Sequence, residues 1–415
     1  MGELEKEYFW GGFVPLGWEV VKAKHLLLYH NREVQPDDDV VTAFRDGQVT
    51  LRTNRRTEGF TSSTKEIGYH HVCKGDLVVH SMDGGFGAIG VSDSDGKASP
   101  VVHTYTSDAA DLYFVAYQLR TAAALGWIAA NGKGIRVRST QFDRPLLNEI
   151  DLALPPLPTQ RAIADYLDRE TVEIDGMRAD LDAMERLLEE RRVSIIQRHV
   201  LPANGTYTRI KLVADVSLGK TVQKTQKDTS EVLRNYVRAA HIQPHGRLVL
   251  DDQPMWFTPN ELKQLTLETG DVLVVEGGAG YGRSVYLREE LPGWGFQNHV
   301  IRVRPRVGAS GRFIDYTFRA HYGAGLIDIL ADGATIPGLS SDKARELPIL
   351  NVSYTEQRRI ADEIDRETTE IDSMLEDITK LRDLLAERRA AVISAAVTGQ
   401  IDIPVSPTHK DEPHA

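Results

Sequence analysis

Residues Gln160–Asp175 read QRAIADYLDRETVEID, and residues Gln357–Asp372 read QRRIADEIDRETTEID. The two stretches begin 197 positions apart, and their likeness continues without a gap to Ile196 and Ile393, with 20 identities in 37 positions. Chance supplies only a few, so the chain carries a true internal repeat. Within each copy apolar residues recur every seven positions. Leu167, Ile174, Leu181, Leu188 and Ile195 run beside Ile163, Met177 and Met184. In the second copy Ile364, Ile371, Ile378, Leu385 and Val392 run beside Ile360, Met374 and Leu381. A heptad seam sustained this long predicts a coiled-coil helix. About 40 residues at ~1.5 Å rise give a rod of roughly 60 Å.

The ends of the rods are marked as well. LPPLPT (Leu154–Thr159) precedes the first, and SYTE (Ser353–Glu356) has capping-box spacing before the second. LPANG from Leu201 and TGQIDIP from Thr398 supply stops. A seam needs a partner, and a single intervening globule brings the second rod back antiparallel to the first. Two seam positions are charged in both copies: Glu170 and Arg191, matched by Glu367 and Arg388. Either they sit at solvated seam edges, or antiparallel packing sets Glu170 by Arg388 and Glu367 by Arg191, fixing register. The apolar stripe widens at Leu187, Leu188, Leu384 and Leu385, which predicts further helices lent by another protein.

Each rod follows a segment of mixed strand and turn signals. GDLVVHSMDGGFGAIGV from Gly75 and GDVLVVEGGAGYGRSVYL from Gly270 occupy matching places. The predicted plan is a first globule (1–156), a first rod (157–200), a second globule (201–352), a second rod (353–400) and a disordered tail (401–415). This is an α+β chain: two mixed α/β domains separated by two long antiparallel coiled-coil helices, related by a pseudo-twofold repeat.

The chain is too long, at 415 residues, for one core. It has no apolar run long enough to span a bilayer and no signal-peptide core, and its single cysteine, Cys73, allows neither an intramolecular disulfide nor a Cys-based zinc cage. A cytoplasmic chain without a membrane is expected. The net charge of −11 is uneven: residues 1–156 carry −4, 157–200 carry −3, 201–354 carry +2 and 355–415 carry −6. Any nucleic-acid surface is therefore local.

The layout, together with GDVLVVEGGAGYGR, GATIPGLSSDKARELPIL and EQRRIADEIDRETTEIDSMLEDI followed by LLAERRAAVISAAVTG, resembles the DNA specificity subunit of type I restriction–modification enzymes. The likeness covers roughly residues 13–400 and is strongest in the second half. In the first, NGKGIRVRSTQFD from Asn131 is a loose match, and Thr159 stands where glutamate is typical. The resemblance implies two target recognition domains, each reading one half of a split double-stranded DNA sequence, with rods that set the unread gap. It implies two methyltransferase subunits on the helical bundle, joined by restriction/translocase subunits. S-adenosylmethionine, ATP and Mg would belong to those partners, with no cofactor or metal in this chain.

No catalytic constellation is legible. The methyltransferase signature is missing, and SLGKT (Ser217–Thr221) lacks the first glycine of a phosphate loop, which would fall at Ala214. Gly277, Gly278 and Gly280 either form a structural hairpin or let backbone approach DNA while Tyr281 and Arg283 contact base edge or phosphate. Ser81, Met82, Gly84, Gly85 and Phe86 form the matching stretch. Arg52, Arg55 and Arg56 lie in a basic loop, solvated by default and otherwise phosphate-binding. Lys220, Thr221, Lys224, Lys227, Arg234 and Arg238 crowd the start of the second globule as DNA-contact candidates. YHH (Tyr69–His71) is the one histidine cluster, no spacing suits a zinc site, and His70 and His71 read as surface or strand residues. Two rival classes stay open: a helical scaffold whose globules bind protein, and an enzyme with a hidden site.

Overall fold

The computed structural model describes residues 4–9, 12–55, 66–132, 142–278, 280–331 and 338–404. The predicted rods are single helices, Leu157–Val200 and Tyr354–Val397. The chain divides into two compact units, residues 1–180 with 381–415, and residues 181–380. Each long helix thus contributes one end to each unit. The predicted tail beyond Pro404 lies outside the described residues.

Unit 1 is built on a four-stranded antiparallel sheet ordered Leu28–His30, Val102–Thr106, Leu77–His80, Ile89–Val91. Unit 2 has a sheet ordered Ala214–Leu218, Val300–Pro305, Val272–Val275, Ser284–Tyr286, again antiparallel. Numbered along the chain, both run first, fourth, second, third. The diverged globules therefore share one plan.

In each sheet one strand is buried on both faces, and its period-two alternation divides two cores. Leu77 and Val79 enter a cluster with Phe114, Leu119, Ile163, Leu167, Ile393 and Val397, while Val78 faces Val41, Val49, Val72 and Ala98. In unit 2, Val272 and Val274 face Phe313, Phe318, Ile196, Ile360 and Ile364, while Leu273 and Val275 face Phe257, Phe296 and Tyr236. The turn after this strand closes, in both units, on a left-handed glycine two residues before the next strand: Gly87 at φ 93° and Gly282 at φ 83°. A side chain at Gly87 would collide with the Arg45 carbonyl, and one at Gly282 with Tyr322 and Ile327.

The repeated residues explain themselves here. A helix crosses behind each sheet, Leu112–Ala124 in unit 1 and Gly311–Gly323 in unit 2, and both dock on a long helix through the same contacts. Gln160, the first residue of the repeat, accepts the Asp111 N–H on Oε1 (2.9 Å) and donates from Nε2 to the Pro155 carbonyl (2.8 Å). Gln357 accepts from Ser310 N–H (2.9 Å) and donates to the Val352 carbonyl (3.1 Å). Both glutamines are buried, and Asp111 and Ser310 are the N-caps of the docked helices. Further along, Tyr117 Oη donates to Asp168 (2.7 Å) and Tyr316 Oη donates to Asp365. The pairs Gln160/Gln357 and Asp168/Asp365 are identical positions of the repeat.

The long helices pack antiparallel within each unit. In unit 1 Arg388 donates to Glu170 (3.0 Å), the expected seam pair, and Arg389 faces Asp175 (3.6 Å). In unit 2 the expected Glu367–Arg191 pair is not formed. Glu367 instead accepts from Arg198 (2.6 Å) and pairs with His199 (3.0 Å), and Arg192 pairs with Asp372 (2.9 Å). The register carries Glu367 one heptad past Arg191, onto the last turn of the first helix. The SYTE cap is also only half formed: Glu356 N–H donates to Ser353 Oγ (3.3 Å), while the Glu356 carboxylate pairs with Arg359 (2.7 Å).

The seam is buried at Ile163, Leu167, Ile174 and Ile195 and at Ile360, Ile364, Ile371 and Ile378. Leu188 and Leu385 are half-buried, whereas Leu187 is 66% and Leu384 59% exposed. The four leucines thus divide, one of each adjacent pair facing inward. No helix among the described residues is long and apolar enough to cross a membrane.

Candidate nucleic-acid interface

The strand-to-strand turns place the glycine-rich candidates. In unit 1, Ser81 donates its N–H to the Val101 carbonyl and accepts from Phe142 N–H, both at 2.7 Å. Gly84 is buried against the Phe142 ring. Ser81 and Gly84 therefore hold the turn's shape, and Gly85 has room around it, with only Ile128 near. What the turn presents is Met82 and Phe86, 47% and 42% exposed. The Arg45 guanidinium stacks over Phe86 at 4.9 Å and pairs with Asp83 at 2.7 Å. Arg45 was not among the sequence candidates, because it lies 36 residues from the motif and reaches it only through the fold.

In unit 2, Gly277 bridges to Gly338, and Gly278 (φ 90°) has open space where a side chain would stand. Tyr281 Oη donates to Asp328, and that bond lifts the phenol above its ordinary pKa. Arg283 lies beside Ser284 and Tyr322 in a cavity of about 1000 Å³. Acidic and basic side chains line this cavity in equal number, Glu185, Glu189 and Asp372 facing Arg192, Arg247 and Arg319 among them. It has no net sign to draw phosphate.

The basic candidates separate by what already holds them. Arg52 Nε donates to Thr42 Oγ1 (3.3 Å). Arg55 pairs with Asp46 (2.7 Å) and stacks on Phe44 (4.3 Å); Arg56 lies outside the described residues. Lys220 corrects the sequence reading: its part-buried ammonium donates to Glu261 (2.6 Å) and the Trp256 carbonyl (3.0 Å). Burial pushes the Glu261 carboxyl up, and Lys220 and Thr258 outweigh it, holding the group below its ordinary value. Lys220 thus braces the capped helix Pro259–Gln264 and is not a free phosphate contact. Arg238 is likewise engaged, by Asp251 and by His241 at 3.0 Å, and the arginine holds the Asp251 carboxyl low.

Thr221, Lys224 and Lys227 stand exposed on one loop, and neither lysine has an ion pair among the described residues. That loop is shaped by buried Glu231, which accepts from Lys227 N–H (2.7 Å) and from Gln223 Nε2 (2.9 Å). The Lys227 backbone bond and the Gln223 amide hold the Glu231 carboxyl below its ordinary pKa. Arg247 and Arg288, both exposed beside a second cavity of about 480 Å³, escaped the sequence reading. They stand 41 residues apart in the chain, so no charge run announces them.

Solved structures share this architecture. A chain from a structure described as the complex assembly and conformational transition of the type I R-M system is similar with a TM-score of 0.70 at 15% identity, covering 94% of this chain and 99% of that one. The HsdS subunit from Thermoanaerobacter tengcongensis is similar with a TM-score of 0.50 at 14% identity, covering 94% and 98%. The fold is shared with that HsdS subunit. No protein-family model matches the sequence, and no curated protein does. Identity this low carries the architecture and leaves the contact residues to be argued from the geometry above.

Proposed function

We propose that this chain is the DNA specificity subunit of a type I restriction–modification system, with each globule serving as a target recognition domain for one half of a bipartite sequence. The duplication carries this reading. Two globules share one sheet order and one pair of anchors, Gln160 with Asp168 and Gln357 with Asp365, while the residues on their matching turns differ: Met82 and Phe86 in one, Gly278 and Tyr281 in the other. Anchors that repeat and turns that diverge suit a reader of two unlike half-sites.

In this proposal the chain supplies no catalytic group. Methylation with S-adenosylmethionine, and ATP- and Mg-dependent restriction, belong to its partners. Leu187 and Leu384, each exposed on its own unit, are the docking residues for methyltransferase helices. Exposed lysines and arginines position the duplex through phosphates, and the turn residues meet base edges. The test is a DNA footprint of the chain co-expressed with its methyltransferase. Two short protected patches with an open gap are expected. One continuous patch, or none with the partner bound, overturns the proposal and favours a protein-binding scaffold.

A further inference from the structure

Unit 1 gathers three side chains of mixed donor type that their spacing does not announce. His71 and Cys73 are two residues apart at the end of the strand His70–Val72, so they project to the same side of an extended chain. Asp95 immediately precedes the neighbouring strand, Gly96–Ala98. Gly96 pairs with Val72 in an antiparallel ladder, which brings Asp95 opposite Cys73. A ring nitrogen of His71, the Cys73 sulfur and an Asp95 carboxylate oxygen lie within 4.8 Å of one another. Bonds of ~2.0–2.3 Å to a tetrahedral zinc ion hold donors roughly 3.4 Å apart, so movements of about an ångström complete such a shell.

The surroundings are those of a ligand set. His71 is buried, and its Nδ1 lies 2.8 Å from Oδ2 of Asp38, itself almost wholly buried. A carboxylate on one imidazole nitrogen fixes the tautomer that leaves the other lone pair to a metal. Asp95 is oriented by the Lys74 N–H on its Oδ1 (2.8 Å). The Cys73 N–H donates to Asp76 (2.9 Å), which Arg32 in turn holds. The thiol is half-buried and Asp95 exposed, so one side stays open to a water ligand.

We propose that His71, Cys73 and Asp95 bind a divalent cation of borderline softness, zinc above all, with Asp38 as a positioning residue. Sulfur and imidazole donors favour zinc over magnesium or calcium, which take oxygen shells. The ion would clip the strand His70–Val72 and its turn to the strand Gly96–Ala98.

The test titrates the untagged full chain with Co²⁺ and reads the sulfur-to-cobalt charge-transfer band, with zinc content measured after dialysis. One metal per chain and a band lost in Cys73→Ser are expected. Asp38→Asn should weaken binding by roughly 10–100-fold with an unchanged far-ultraviolet circular dichroism spectrum. Absence of the band in the unmodified chain at stoichiometric Co²⁺ overturns the proposal without reference to any variant. Full metal affinity in Cys73→Ser also overturns it.

Discussion

Replacing Gln160 by alanine removes its hydrogen bond to the N-cap of the docked helix of unit 1 and its bond to the Pro155 carbonyl at the entry of the long helix. The part-buried Asp111 N–H and the buried Pro155 carbonyl lose their partner. Each buried group left unsatisfied costs ~1–3 kcal/mol, and two together cost about 2–4 kcal/mol after partial relaxation. The loss is local, since it concerns the entry of Leu112–Ala124 and not the sheet. At ~1.4 kcal/mol per tenfold, amide hydrogen exchange in that helix should quicken roughly thirty- to several-hundredfold where opening is subglobal. Gln357→Ala should do the same to Gly311–Gly323, by loss of the bonds to Ser310 and Val352. Exchange mass spectrometry of the two single variants reads both helices at once. Each variant should mark its own unit and spare the other. If Gln160→Ala left Leu112–Ala124 unchanged, or quickened both helices alike, the glutamine would not be the anchor described.

Three further outcomes are expected. Exchanging residues 205–346 for the matching segment of another such chain should change one half of the methylated motif and keep the other, as read by methylome sequencing; a change in both halves would contradict separate readers. Leu187→Asp with Leu384→Asp should reduce co-purification with the methyltransferase while the thermal transitions persist, because both side chains are exposed; undiminished recovery would place docking elsewhere. His103 is driven down to about 4 by burial and then by Arg144, so the folded state resists its protonation. The unfolded chain takes up that proton near the ordinary value of 6.5. Unit 1 should therefore lose stability as pH falls from about 6.5 to about 4, and His103→Gln should flatten that slope in denaturant titrations.

The heptads made both long helices legible, because a seam is a local period and needs no knowledge of the globules. The Glu170–Arg388 pair could be read from the same pattern, whereas Glu367 found Arg198 because antiparallel register depends on where the intervening segment returns the chain. The common sheet order stayed hidden, since period-two strands such as Leu77–His80 and Val272–Val275 fix faces but not neighbours. Lys220 misled for a related reason: a lysine in a basic cluster carries no sign in its sequence of the Glu261 carboxylate 41 residues away. The same blindness to cross-strand partners hid Asp95 from Cys73.

The division of each long helix between units has a consequence for how the chain is made. Unit 2 is one continuous stretch, complete once residue 380 has been synthesised. Unit 1 begins at the first residue but needs Ile393, Ala396 and Val397 to close its main core. Of the two globules, the one that starts earlier is thus the later to finish, and Leu119, Ile163 and Leu167 wait for a segment more than 200 residues downstream. A chain stopped at Lys380 would carry a finished unit 2 beside an unclosed unit 1, with apolar surface open to aggregation and to chaperones.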